Sequence, residues 1–172
     1  MANAIATERL RKRFAKWDID GSGALEQSDF EQEAKRIAQA FGESPTSAKA
    51  QKLTNAFSSM FQQVANGASS MNEDDFMSAA GMLVEKGAER DFDRALRPIV
   101  EGVVGLADKD NSGQISREEF ATWLTAIGVD QSKTTTLFDQ VDTDNSGELS
   151  ADELLTVVRD FHYGNSDVEL LG

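Results

Sequence analysis

The 172-residue chain has no cysteine and only one histidine, His162. Without thiols it can form neither a disulfide nor a thiolate metal site, and one histidine is too few for a zinc site or a Cys–His pair. Ser-His-Asp chemistry would depend on His162 alone, and we expect that residue to lie exposed in the C-terminal tail. We therefore predict that the protein is not an enzyme.

Long apolar runs and basic residues are also scarce. No stretch of 18 apolar residues could span a bilayer, and residues 1–17 have no apolar signal core, so we predict a cytoplasmic protein without a membrane partner. The chain has 30 acidic residues against 17 basic ones, a formal net charge of −13. This charge would repel phosphates and argues against nucleic acid as a partner. Because 40% of the residues are hydrophobic, a buried core is expected.

Many of the acidic residues are concentrated in twelve-residue stretches, of which residues 142–153 are the clearest example. Oxygen-bearing side chains stand at positions 1, 3, 5, 9 and 12, and Gly147 at position 6 permits the sharp turn. Calcium takes about six to eight oxygen ligands, which this spacing can supply. The predicted ligands are Asp142, Asp144, Ser146, Glu148 through its backbone carbonyl, Ser150 acting through water, and Glu153 with two oxygens.

The same pattern occurs twice more. Residues 108–119 match it position for position, with Asp108, Asp110, Ser112, Gln114 through its carbonyl, Ser116 and Glu119. Residues 18–29 match except at the last position, with Asp18, Asp20, Ser22, Ala24 through its carbonyl, Glu26 and Asp29. Since Asp29 is one methylene shorter than glutamate, we predict that this first loop tolerates magnesium better than the other two. Three loops predict three calcium ions.

Helical periodicity surrounds the loops and predicts an all-α fold. We expect helices over about 4–17, 27–41, 47–63, 73–87, 89–107, 117–127, 131–141 and 151–161. On the first helix we expect Ile5, Leu10, Phe14 and Trp17 on one face and the basic residues opposite. We divide the chain into residues 1–88 and residues 89–172, and we expect the apolar tail after residue 161 to dock on the body.

These loops and their flanking helices resemble the EF-hand family, over nearly the whole chain. The unequal loop spacing further resembles the sarcoplasmic calcium-binding proteins and their bacterial relatives of the calerythrin type. The resemblance implies four helix-loop-helix units in two pairs, packed as one compact monomer. The second unit would be residues 64–75, where Val64 and Ala68 replace ligands, so we predict no ion there. It also implies short ladders that pair Leu25 with Met71 and Ile115 with Leu149.

Two functions are compatible with this pattern. The family likeness favours a calcium buffer. A calcium sensor with an unknown target protein is the alternative, because Met60, Met71, Met77 and Met82 could line a target groove, although methionines also fill ordinary cores. The segment from Asp18 to Ser22 also resembles a phosphatase nucleophile motif. That motif requires a preceding apolar strand, whereas an amphipathic helix is expected here.

Overall fold

A computed structural model describes residues 3–18, 20–108 and 112–165, and its secondary structure is almost entirely helical. The eight helices in this part of the chain are α1 (Ala4–Trp17), α2 (Gln27–Ala40), α3 (Ala48–Ala65), α4 (Glu73–Leu83), α5 (Glu89–Ala107), α6 (Arg117–Ala126), α7 (Gln131–Val141) and α8 (Ala151–Tyr163). Four three-residue strands lie between successive helices, namely β1 (Ala24–Glu26), β2 (Ser70–Asn72), β3 (Gln114–Ser116) and β4 (Glu148–Ser150). The all-α prediction is confirmed.

The strands form two antiparallel pairs that hold the loops together. Leu25 faces Met71 in the pair of β1 with β2, and Ile115 faces Leu149 in the pair of β3 with β4. All four side chains are fully buried. Hydrophobic burial at the centre of each ladder therefore sets its register, since a slip of one residue would expose these side chains. Both pairings agree with the expectation from the sequence.

Capping boxes begin the helices that follow the strands. At α6, the Ser116 hydroxyl accepts from the Glu119 amide (3.2 Å) and the Glu119 carboxylate accepts from the Ser116 amide (2.8 Å). Ser150 and Glu153 repeat this exchange at α8. Each reciprocal pair satisfies two backbone donors that a helix N-terminus would otherwise leave without a partner. Residues predicted as ion ligands thus also start the helices.

Helices from the two halves of the chain share one continuous core. On α5, a Cβ added at Gly102 would lie 3.0 Å from Leu53 Cδ1 on α3, so these two helices approach closely because this position lacks a side chain. Nη1 of Arg159 on α8 donates to both carboxylate oxygens of Asp93 on α5, at 2.8 and 2.7 Å. None of the helices in the described ranges is long and apolar enough to cross a membrane.

The C-terminal region differs from the prediction. Helix α8 continues to Tyr163 and ends at Gly164 in the left-handed conformation (φ 74°). The expectation of an exposed His162 is wrong, because that side chain is only 7% exposed and its Nδ1 lies 2.8 Å from the Val158 carbonyl. Helix α1 packs against this end of α8 and covers it. The tail predicted to dock begins at residue 162, its first two residues continue α8, and residues 166–172 lie outside the described residues.

Candidate metal centres

The first loop begins where α1 ends, at Asp18. The Asp18 carboxylate accepts hydrogen bonds from the Ser22 amide (3.1 Å) and the Gly23 amide (2.9 Å), so the loop folds back over its own first side chain. Gly23 has φ 82°, a left-handed conformation that glycine adopts without steric cost. Because a helix precedes Asp18, the strand that the phosphatase motif requires is absent from this position.

The fourth loop, and the described residues of the third, repeat these contacts. Asp108 accepts from the amides at positions 5 and 6 of its loop at 2.9 and 2.6 Å. Asp142 does the same at 3.3 and 2.9 Å. The glycines at position 6 have φ 80° and 82°, close to the value in the first loop. The first carboxylate of all three loops is therefore oriented by the same two backbone donors.

A serine at position 5 connects the candidate ligands in each loop. The Ser146 hydroxyl lies 2.7 Å from the Glu148 carbonyl and 3.3 Å from an Asp142 oxygen. The corresponding distances are 3.0 and 3.3 Å around Ser22, and 3.2 and 3.1 Å around Ser112. Oxygens that share one calcium ion lie about 3 Å apart. These are hydrogen bonds of the serine hydroxyl, and they bring the oxygens of positions 1, 5 and 7 close together in each loop.

The aspartates at position 3 are held in the same way. Asp20 accepts from the Ser22 amide and Asp144 from the Ser146 amide, both at 3.0 Å. These backbone hydrogen bonds, followed by further side-chain hydrogen bonds, lower the pKa of both carboxyl groups below the usual value. Both side chains therefore remain ionised at neutral pH and can bind a cation. The equivalent residue of the third loop, Asp110, lies outside the described residues.

The residues at position 12 act as helix caps in this structure. Glu119 and Glu153 accept from the amides of Ser116 and Ser150 at 2.8 and 3.2 Å. In the first loop the shorter Asp29 does this for the Glu26 amide at 2.9 Å, and Asp29 is only 5% exposed. Within the described ranges, no three acidic or histidine side chains are gathered into a metal cluster. Carboxylates without a bound cation repel one another. In each loop the oxygens of positions 1, 5 and 7 lie close together.

The second loop does not fit an ion. Helix α3 continues through Val64, where the other loops have their first aspartate, and the half-buried Val64 side chain packs against the core. Asn66 follows in the left-handed conformation (φ 51°). Asn72 and Asp75 cap each other's backbone amides at α4. The second loop therefore still forms its strand and the N-terminus of its helix. It has too few side-chain oxygens to replace the water around a divalent ion.

Sequence reasoning missed a buried polar cluster between α1, α2 and α8. Arg9, Arg13, Glu33 and His162 are all less than 9% exposed, whereas Ile5, expected in the core, is 51% exposed. Burial lowers the pKa of Arg13 to about 10 and raises the pKa of Glu33 above its usual value. The i, i+4 spacing of Arg9 and Arg13 places them on one helix face, but nothing local in the sequence shows that this face is buried.

Comparison with known proteins agrees with this geometry. The family model for the EF-hand domain pair matches residues 112–160. Calerythrin of Saccharopolyspora erythraea is 49% identical over the whole of both chains. The solved structure of a Streptomyces coelicolor calcium-binding protein, described in connection with calcium-mediated regulation, has a TM-score of 0.79 and 26% identity, and the match covers 92% of this chain and 98% of that one. Magnesium-loaded apo-berovin from a ctenophore, with magnesium in all three calcium-binding loops, has a TM-score of 0.75 at 26% identity, with 90% and 86% coverage.

Proposed function

This chain belongs to the EF-hand family of calcium-binding proteins, and on that premise we propose that it is a cytoplasmic calcium buffer with three sites. The sites are loops 18–29, 108–119 and 142–153. The observation that supports this proposal is an arrangement repeated in all three loops, in which oxygens of positions 1 and 7 lie 2.7 to 3.3 Å from the serine hydroxyl at position 5. No catalytic role is proposed, because the family is one of ion-binding proteins and the chain offers a single, buried histidine.

Each ion would be held by oxygen atoms from one loop only. Aspartates at positions 1 and 3, the serine hydroxyl at position 5, the carbonyl at position 7 and the carboxylate at position 12 supply them, with position 9 acting through water in the third and fourth loops. Calcium relieves the repulsion among the carboxylates, and three divalent ions would reduce the net charge from −13 to about −7. Ion binding therefore stabilises the fold as well as filling the loops.

We assign loops one and two to an N-terminal pair, residues 1–88, and loops three and four to a C-terminal pair, residues 89–172. The proposed form is a monomer, since each twelve-residue loop provides a complete ligand set from one chain. Only the first pair contains a loop without an ion. The two loops of the second pair should therefore bind cooperatively, while the first loop has an ion-free neighbour.

Ion counting tests the proposal directly. Isothermal titration of the chelated, calcium-free protein should give three calcium ions per chain. Glu119→Gln and Glu153→Gln should each weaken one site, because the amide keeps the size and removes the charge of the position-12 ligand. Asp75→Asn is the matched control, since Asp75 stands at the same position of the loop that we predict to be empty. A fourth ion, or a loss of binding in the control, contradicts the assignment.

The choice between buffer and sensor depends on the methionines. Met60 and Met71 are buried, Met77 is half-buried against the core, and Met82 is 63% exposed. Three of the four methionines therefore contribute to the core rather than to a target surface, which favours the buffer. Binding of a hydrophobic dye, with and without calcium at constant magnesium, separates the two functions. Calcium should lower dye binding by a buffer, whereas an increase would show that a groove opens, as in a sensor.

A further inference from the structure

The first and last helices of the described chain hold each other end to end. Asn3 caps the N-terminus of α1, where its Oδ1 accepts from the Ala6 amide at 2.8 Å. The amide nitrogen of the same side chain donates to the Tyr163 carbonyl, also at 2.8 Å, in the last turn of α8. One side chain thus satisfies an orphan donor of one helix and an orphan acceptor of the other.

Arg9 makes the second contact, in a buried position. Its Nη1 donates to the Phe161 carbonyl at 2.6 Å, and its guanidinium lies 4.2 Å from the centre of the Phe161 ring. A cation at a helix C-terminus is favoured by the helix dipole, and burial strengthens both interactions. The group formed by Asn3, Arg9, Phe161 and Tyr163 is called the α1–α8 clasp below.

The far ends of both helices carry ion ligands. Helix α1 ends at Asp18, the first ligand of the first loop, and α8 carries Glu153, the last ligand of the fourth loop, in its first turn. In the structure that contains the clasp, both loops hold oxygens of positions 1 and 7 within hydrogen-bond distance of the serine hydroxyl at position 5. The clasp therefore stabilises the helix arrangement that suits both loops at once.

We propose that the α1–α8 clasp couples the first and fourth calcium sites, so that filling either one raises the affinity of the other across the two halves of the chain. This inference rests on the proposed function, because it requires ions at both loops. Two ligands that favour the same conformation must favour each other, and such coupling is reciprocal. The two sites belong to different loop pairs, so the β-ladders do not connect them.

Site-resolved titration tests the coupling. Gly23 and Gly147 donate their amides to Asp18 and Asp142, so their signals in protein labelled on glycine report the two loops separately by nuclear magnetic resonance. In chelator-buffered calcium, Glu153→Gln should raise the half-saturation concentration at Gly23 by roughly tenfold. In an Arg9→Met background, the same substitution should raise it by about twofold or less.

Two further variants serve as a control for Arg9→Met and as a replacement for it. Lys12→Met is the matched control, because Lys12 is an exposed cation of α1 whose ion pair is with Glu8 of the same helix. It should keep the full tenfold shift. If Arg9→Met does not fold, Asn3→Ser retains a capping oxygen and removes only the donor to Tyr163, and it should also reduce the shift.

The outcomes distinguish this inference from the proposed function. An undiminished shift in Arg9→Met and Asn3→Ser, or no shift in the otherwise unchanged chain, overturns the coupling while leaving the three sites intact. If the signals of Gly23 and Gly147 do not respond to calcium at all, the proposed function itself is wrong.

Discussion

Acidification should destabilise this fold through His162. The ring is buried beside Phe92 and Phe161, and burial, followed by the nearby cation of Arg13, lowers its pKa to about 3. In the unfolded chain its pKa returns to about 6.5. Because the folded-state pKa is the lower one, the unfolded state binds more protons between these values. The contribution of His162 to stability is thus fully present above pH 6.5 and is lost as the pH falls toward 3.

The expected loss can be calculated from the unfolded pKa alone. While the two states differ by one proton, each pH unit changes the free energy of unfolding by about 1.4 kcal/mol. Between about pH 8 and about pH 5 this amounts to a loss of about 2 kcal/mol, since the unfolded histidine becomes protonated and the folded one does not. The result hardly depends on the native value, provided that it lies below about 4.

Urea unfolding of the wild-type chain and of His162→Phe at these two pH values measures this difference. Phenylalanine keeps an aromatic ring at this buried position and removes the titrating nitrogen. The acidic residues are common to both proteins, so their contributions cancel in the comparison. The stability of His162→Phe should fall by about 2 kcal/mol less than that of the wild type. Equal pH dependence in the two proteins would mean that His162 can be protonated in the folded state, and the argument from burial would be refuted.

Three further predictions concern single positions. Asp29→Glu should increase the preference of the first site for calcium over magnesium in competitive titration, because the longer side chain can offer two oxygens; an unchanged preference contradicts this. Gly147→Ala should weaken the fourth site, since alanine is strained by about 1 kcal/mol at φ 82°, whereas Gly81→Ala in α4 meets no atom within 4 Å and should leave calcium titrations unchanged. Leu53→Ala should cost about 2–5 kcal/mol in urea unfolding, because Leu53 is fully buried against α5. Met82→Ala, at a side chain 63% exposed, should cost about 0.5 kcal/mol or less, and equal costs for these two would refute the described packing.

The hydrogen bonds that shape the candidate loops are local in the sequence. In the fourth loop, the contacts of Ser146 and Gly147 with Asp142, and of Ser146 with Glu148, join residues two to five positions apart. The capping box of Ser150 and Glu153 joins residues three positions apart. The family resemblance implied the ladder register, which pairs the apolar residues at the same position of neighbouring loops. Contacts of this kind depend on residue spacing and backbone conformation, both of which are determined by a short stretch of the sequence.

Helix ends and the buried polar cluster depended on distant partners instead. Helix α4 ends at Leu83, before the predicted Gly87, and the Leu83 carbonyl accepts from the Tyr163 hydroxyl at 3.0 Å. Arg9 and Phe161 are 152 positions apart in the chain. The sequence alone determined which loops carry oxygen-bearing side chains at the predicted positions, since those residues are neighbours in the chain. Only the tertiary structure decided that His162 and Arg9 are buried, because burial is set by the packing of α1 against α8.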